Sequence, residues 1–133
     1  MSRSGYSDGL DSWELIRWRG AVKSAIEGNK GQKFLKDLVK ALEDMPDKKL
    51  YRSVLVDGEK CCAMGAVCKS RGLDVTGVDP YNPKVVGDAL GIARAMAAEI
   101  AYENDEDFSY RETSPEERWE RMYNWAKNNL RND

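Results

Sequence analysis

The sequence predicts a mainly α protein: a compact bundle of about five or six helices carrying one small β-hairpin. Three observations lead there. Apolar residues recur at three- and four-residue intervals over most of the chain. Glycine and proline fall where helices of ordinary length should begin and end. One stretch, 50–56, instead combines the β-branched Val54 and Val56 with a following Asp57-Gly58 turn signal.

Taken in order, residues 1–10 are rich in Ser and Gly and are expected to be flexible, leaving 11–133 as one helical domain. Asp11 or Ser12 can cap a first helix, in which Leu15, Trp18, Val22 and Ala25 recur to about Glu27. Gly28-Asn29-Lys30-Gly31 reads as a break supplying left-handed turn geometry. A second helix is expected over 32–44. Its apolar stripe is Leu35, Leu38, Val39 and Leu42, its lysines Lys33, Lys36 and Lys40 face water, and Met45-Pro46 ends it. The two form a helical hairpin. A strand over 50–56 and a short return over 59–62 must pack on helices, since an isolated hairpin is marginal. A small-residue helix over 63–68 is closed by Arg71-Gly72. After a loop over 73–81, Asn82-Pro83 starts a short helix that stops near Leu90-Gly91. A helix over 92–103 carries Ile92, Met96 and Ile100 on one face, and an acidic loop over 104–111 follows. Ser114-Pro115-Glu116-Glu117 is a strong start for a terminal helix striped by Trp119, Met122, Tyr123, Ala126 and Leu130.

The chain of 133 residues is long enough to bury roughly two-thirds of its unfolded surface, so neither disulfides nor metals are required for stability. No apolar run reaches 18 residues, and the polar N-terminus lacks a signal-peptide core. The three cysteines, Cys61, Cys62 and Cys68, are odd in number, two of them adjacent, and make a poor disulfide framework. A cytoplasmic location is the expectation, with no cofactor, no metal and no membrane partner. Histidine is absent, which removes Ser-His-Asp and Cys-His nucleophile systems and histidine-ligated zinc. No phosphate-binding glycine loop is present either. The expectation is a protein that is not an enzyme.

Net charge is −2, but it is segregated. From Arg17 to Arg52 ten cations face five anions, a local +5; from Glu99 to Glu117 eight anions face one cation, a local −7. The basic segment also holds Trp18, Phe34 and Tyr51, and such a pattern can dock an acidic protein or a nucleic acid. Arg19, Lys33, Lys36 and Lys40 are the candidate contacts. Trp13 and Trp125 lie off the helix stripes, a modest interface signal.

The strings Arg17-Trp18-Arg19-Gly20-Ala21-Val22, Gly31-Gln32-Lys33-Phe34-Leu35, Cys62-Ala63-Met64-Gly65-Ala66, Asn104-Asp105 and Thr113-Ser114-Pro115-Glu116-Glu117-Arg118 together resemble a group of small uncharacterised proteins of tailed bacteriophages and prophages. The resemblance runs from about Tyr6 to Leu130. A looser set of phage and actinobacterial proteins is similar in the second half only. The group has no assigned activity, so the resemblance implies an origin and no catalytic role. Cys62, Gly65, Ala66, Asn104 and Asp105 match its recurring positions; Cys61 and Cys68 do not. Gly65 and Ala66 suit close helix approach, and Asn104 and Asp105 suit bonds to nearby main chain, with a pocket between them as the functional alternative.

The reading is a small non-catalytic phage accessory protein that binds a host macromolecule, with inhibition of an antiviral defence system as its candidate purpose. A host protein is the expected partner. The alternatives are a nucleic-acid-binding protein using the basic hairpin, and a small-molecule binder or minor enzyme with a cleft near Gly65 and Asp105. The candidate binding residues are Arg19, Lys33, Lys36, Lys40, Cys62, Gly65, Asn104 and Asp105.

Overall fold

Local start and stop signals set the helix ends. The Asn82 side-chain oxygen accepts the Val85 N–H, Pro83 follows it, and Gly91, at φ 73°, ends that helix. Ser114 Oγ accepts the Glu117 N–H at 3.1 Å ahead of the terminal helix. Gly72, at φ 69°, closes the small-residue helix. The computed structural model describes residues 12–105 and 113–131. Over these residues the order is α1 (Ser12–Glu27), α2 (Asn29–Asp44), β1 (Val56–Asp57), β2 (Lys60–Cys61), α3 (Ala63–Arg71), α4 (Pro83–Leu90), α5 (Arg94–Asp105) and α6 (Pro115–Asn128).

The chain is mainly helical, with one two-stranded antiparallel hairpin. Val56 pairs with Cys61 and Asp57 with Lys60 around Gly58, whose φ is 62°. Two helices organise the packing. α2 meets α1, α3 and α6; α5 meets α1, α3, α4 and α6. α3 touches both and wedges between them. The core they enclose includes Phe34, Leu38 and Leu42 of α2, Met64 and Val67 of α3, Met96 and Ile100 of α5, and Met122 of α6. No helix of the described residues is long and apolar enough to cross a membrane.

Four expectations change. The break between the first two helices is Gly28 alone, and it is extended (φ −70°, ψ 165°), not left-handed. Gly31 is buried within α2, where a Cβ would sit 2.0 Å from the Ala25 carbonyl oxygen, so its role is close approach. The stretch 50–55 is not a strand, because its main-chain bonds are scattered over several elements and do not form a ladder. The Leu50 N–H donates to the Pro115 carbonyl, the Tyr51 N–H to the Cys61 carbonyl, and the Leu55 carbonyl accepts from Cys62. α5 runs from Arg94 to Asp105, so Asn104 and Asp105 form its last turn, not a loop. Finally, α1 lies on the surface. Ile26 is buried, Trp18, Val22 and Ala25 are half-buried, and Leu15 is exposed. Residues 1–11, with the candidate cap Asp11, residues 106–112 and the last two residues lie outside the described residues.

The glycines separate two effects. Gly20 is exposed within α1 with nothing within 4 Å of a built Cβ. Gly20→Ala should stabilise the fold by about 0.5–1 kcal/mol through helix propensity. Gly31→Ala should destabilise it by about 1–3 kcal/mol through overpacking. Urea unfolding of the two variants checks both signs.

Candidate functional site

The repeat of α2 divides it into a packed face and an outward face. Phe34, Leu35, Leu38, Ala41 and Leu42 point inward. Lys33, Lys36 and Lys40 are left exposed on the other side, and Lys30 is exposed in the first turn. At 1.5 Å per residue the four span about 15 Å along the axis. None makes an ion pair with a described residue.

Other cations of the basic segment are committed. The Lys48 ammonium donates to the carbonyls of Leu42, Glu43 and Met45 at the C-terminal end of α2, and lies over the Trp119 ring. Trp119 Nε1 also donates to the Leu42 carbonyl, and its ring stacks on Tyr123 at 4.9 Å. Lys49 pairs with Glu116 at 3.7 Å. Arg19 is exposed on α1, the helix that packs against α2.

At the N-terminal end of the lysine row an open cleft of about 480 Å³ lies between α2, the end of α3 and the end of α4. Lys30, Lys33, Phe34, Asp37, Arg71 and the residues 88–91 line it. Arg71 crosses it: one guanidinium nitrogen donates to the Leu90 carbonyl at 3.0 Å, another to Asp37 Oδ2 at 2.7 Å, and the group lies over the Phe34 ring. Arg71, Asp37 and Asp88 were not legible as site residues, since Arg71 reads only as a basic residue near a helix end.

The other four candidates meet at a second place. Cys62 caps α3, its thiol accepting the Gly65 N–H at 3.4 Å. Gly65 sits against the 50–55 segment so closely that a Cβ would lie 1.8 Å from the Leu55 carbonyl oxygen. Asn104 is fully buried. Its Oδ1 accepts the Ala63 N–H at 3.0 Å, and its Nδ2 donates to the Tyr51 carbonyl and to Asp105 Oδ1. Asp105 Oδ1 in turn accepts the N–H of Ser53, whose φ of 62° is left-handed. The Asn104 carbonyl accepts from Arg118 and Arg121, and Arg121 also donates to the Glu103 carbonyl. Arg118 is buried, which its place beside two glutamates in the sequence did not signal. Cys62, Gly65, Asn104 and Asp105 are thus brought together, and they hold main-chain groups of Ala63, Gly65, Tyr51 and Ser53.

All three thiols are buried, and none forms a disulfide. Burial first, then the neighbouring Cys62, pushes Cys61 and Cys68 up to about 11, away from thiolate chemistry at neutral pH. Glu103 is pushed up to about 7, first by burial and then by the charge and hydrogen bond of Glu99, with Arg121 opposing. Among the described residues no group of three or more His, Cys, Asp or Glu is placed to hold a metal ion.

Two outcomes follow from this junction. Asn104→Ala strands the Ala63 N–H and the Tyr51 carbonyl and should destabilise the fold by about 2–4 kcal/mol, read by urea unfolding. For Glu103, the folded state holds its proton up to about pH 7, whereas the ordinary value is 4.5. Between those values the folded state binds more protons than the unfolded, so this group's contribution to stability falls as pH rises through the window. Glu103→Gln should remove that part of the slope, measured as the difference from the parent protein at pH 5 and pH 7.5.

Compared with protein-family models, with curated proteins and with solved structures, the chain matches none of them.

Proposed function

We propose that this chain is a non-catalytic accessory protein of phage origin that docks on a host protein bearing an acidic surface. The docking face is the outward side of α2. One observation carries the reading: Lys30, Lys33, Lys36 and Lys40 stand exposed, without ion pairs to described residues, on a helix whose opposite side is locked into the core. A rigid row of uncompensated charge steers encounter with an oppositely charged face and loses little side-chain freedom beyond the lysines themselves. The chain is acidic overall, which favours a local acidic patch on a protein over a long polyanion. The phage origin rests on the sequence resemblance, and interference with an antiviral defence system is the purpose such binding would serve. Nucleic acid is the second reading, favoured by the same row, since lysines at helical intervals can meet successive phosphates.

The test is affinity capture from bacterial lysate using the parent chain and the variant carrying Lys33→Glu, Lys36→Glu and Lys40→Glu, each with and without nuclease. The expected result is a protein retained through nuclease treatment and reduced at least about tenfold by charge reversal. A protein retained equally by the variant overturns the α2 surface. Recovery that disappears with nuclease transfers the function to nucleic acid.

A further inference from the structure

We propose that the cleft at the N-terminal end of α2 is a binding site for a small phosphorylated ligand of the nucleoside diphosphate class. The argument begins with its charges. Lys30, Lys33 and Arg71 line the cleft together with Asp37 and Asp88. Both acids are already matched, Asp37 by Arg71 at 2.7 Å and Asp88 by Lys84 at 3.1 Å. Lys30 and Lys33 have no such partner among the described residues. They lie three residues apart on one helix face, where like charges repel, and an anion between them relieves that repulsion.

Arg71 adds a prepared donor. Two of its five N–H groups are committed, to Leu90 and Asp37, and its plane is held over Phe34. The remaining donors belong to a guanidinium fixed in place by three elements, the arrangement that suits phosphate oxygens. The first turn of α2 holds no acidic residue, and its N-cap Gly28 supplies no side-chain bond. The C-terminal ends of α3 and α4, which also line the cleft, carry the opposite partial charge, so the attraction for an anion rests on Lys30, Lys33 and Arg71.

Size and the remaining wall narrow the class. A volume of about 480 Å³ exceeds what a bare phosphate fills and lies within the ordinary range for small-ligand sites. Ala89 and Gly91, exposed above the buried Leu90, offer a short uncharged wall against which a ring can rest. A diphosphate reaching Lys30, Lys33 and Arg71 with its nucleoside along that wall satisfies both halves. The site stands apart from macromolecular docking on α2, although Lys30 and Lys33 contribute to each.

Isothermal titration with pyrophosphate and with ADP at physiological salt tests the site on three chains: the parent, Lys30→Gln with Lys33→Gln, and Lys36→Gln with Lys40→Gln. All four lysines are exposed, so the variants should fold. The parent should bind both probes, ADP the more tightly. The first variant should lose at least about tenfold in affinity, from two charge-assisted contacts, and the second less than about twofold. Amide NMR shifts should concentrate at 30–37, 71 and 88–91. No binding at millimolar probe, or equal losses in the two variants, overturns the site. ADP binding no tighter than pyrophosphate overturns the nucleoside assignment.

Discussion

The buried side chain of Asn104 is the constraint on which the arrangement of the other elements depends. It offers one acceptor and two donors, and the structure uses all three. The acceptor takes the first N–H of α3, and the donors reach the Tyr51 carbonyl and the neighbouring Asp105. Its own carbonyl collects Arg118 and Arg121 from α6. One residue therefore joins α5 to α3, to the 50–55 segment and to α6. The two guanidinium groups sit at the C-terminal end of α5, where the helix leaves carbonyls unpaired and favours positive charge.

That clamp answers a problem set by the core. α3 and α5 are built largely from small residues: Ala63, Gly65 and Ala66 in one, Ala97, Ala98 and Ala101 in the other. Short side chains let backbones approach, as Gly65 approaches the Leu55 carbonyl. Close backbones bring peptide groups into the interior, and a buried peptide group without a partner costs about 1–3 kcal/mol. The 50–55 segment is the sharpest case. It cannot form a ladder against a neighbouring strand, so its donors and acceptors go to Pro115, Cys61, Cys62, Asn104 and Asp105. The left-handed Ser53 is tolerated because Asp105 holds its N–H.

The sequence was legible wherever the cause was local. Asn82, Ser114, Pro115, Gly72 and Gly91 act on their own turns, and each does what its neighbours in the chain imply. The lysine row of α2 was legible because helical periodicity alone decides which residues face outward. Non-local causes hid the rest. Val54 and Val56 promised a strand over the whole stretch, but only Val56 joins one, and three of the bonds of 50–55 go to Pro115, Asn104 and Asp105, fifty or more residues away. Gly31 looked like a turn residue, and only the path of α1 over it shows a contact. Arg118 carried no burial signal in the sequence, and its guanidinium is held by the Asn104 carbonyl of α5 and the Thr113 carbonyl ahead of its own helix. Asn104 and Asp105 could be picked out, and their affinity for main-chain groups anticipated. Their position inside α5 could not.

The same distinction governs the electrostatics. A local +5 over 17–52 overstates the field that reaches solvent, because several cations serve the fold. Lys48 closes the end of α2, Lys49 meets Glu116, and outside that segment Arg71, Arg118 and Arg121 each hold carbonyls of other elements. Cations consumed in this way sit where helices end. Lys33, Lys36 and Lys40 lie along the body of α2, on the side opposite Phe34, Leu38 and Leu42, and meet no carbonyl that needs closing. Charge that the fold does not use, held at fixed spacing on a packed helix, is the charge the proposed partner would meet. Removing it should leave stability nearly unchanged, since exposed unpaired lysines contribute little, and that separation lets recognition on α2 be examined apart from folding.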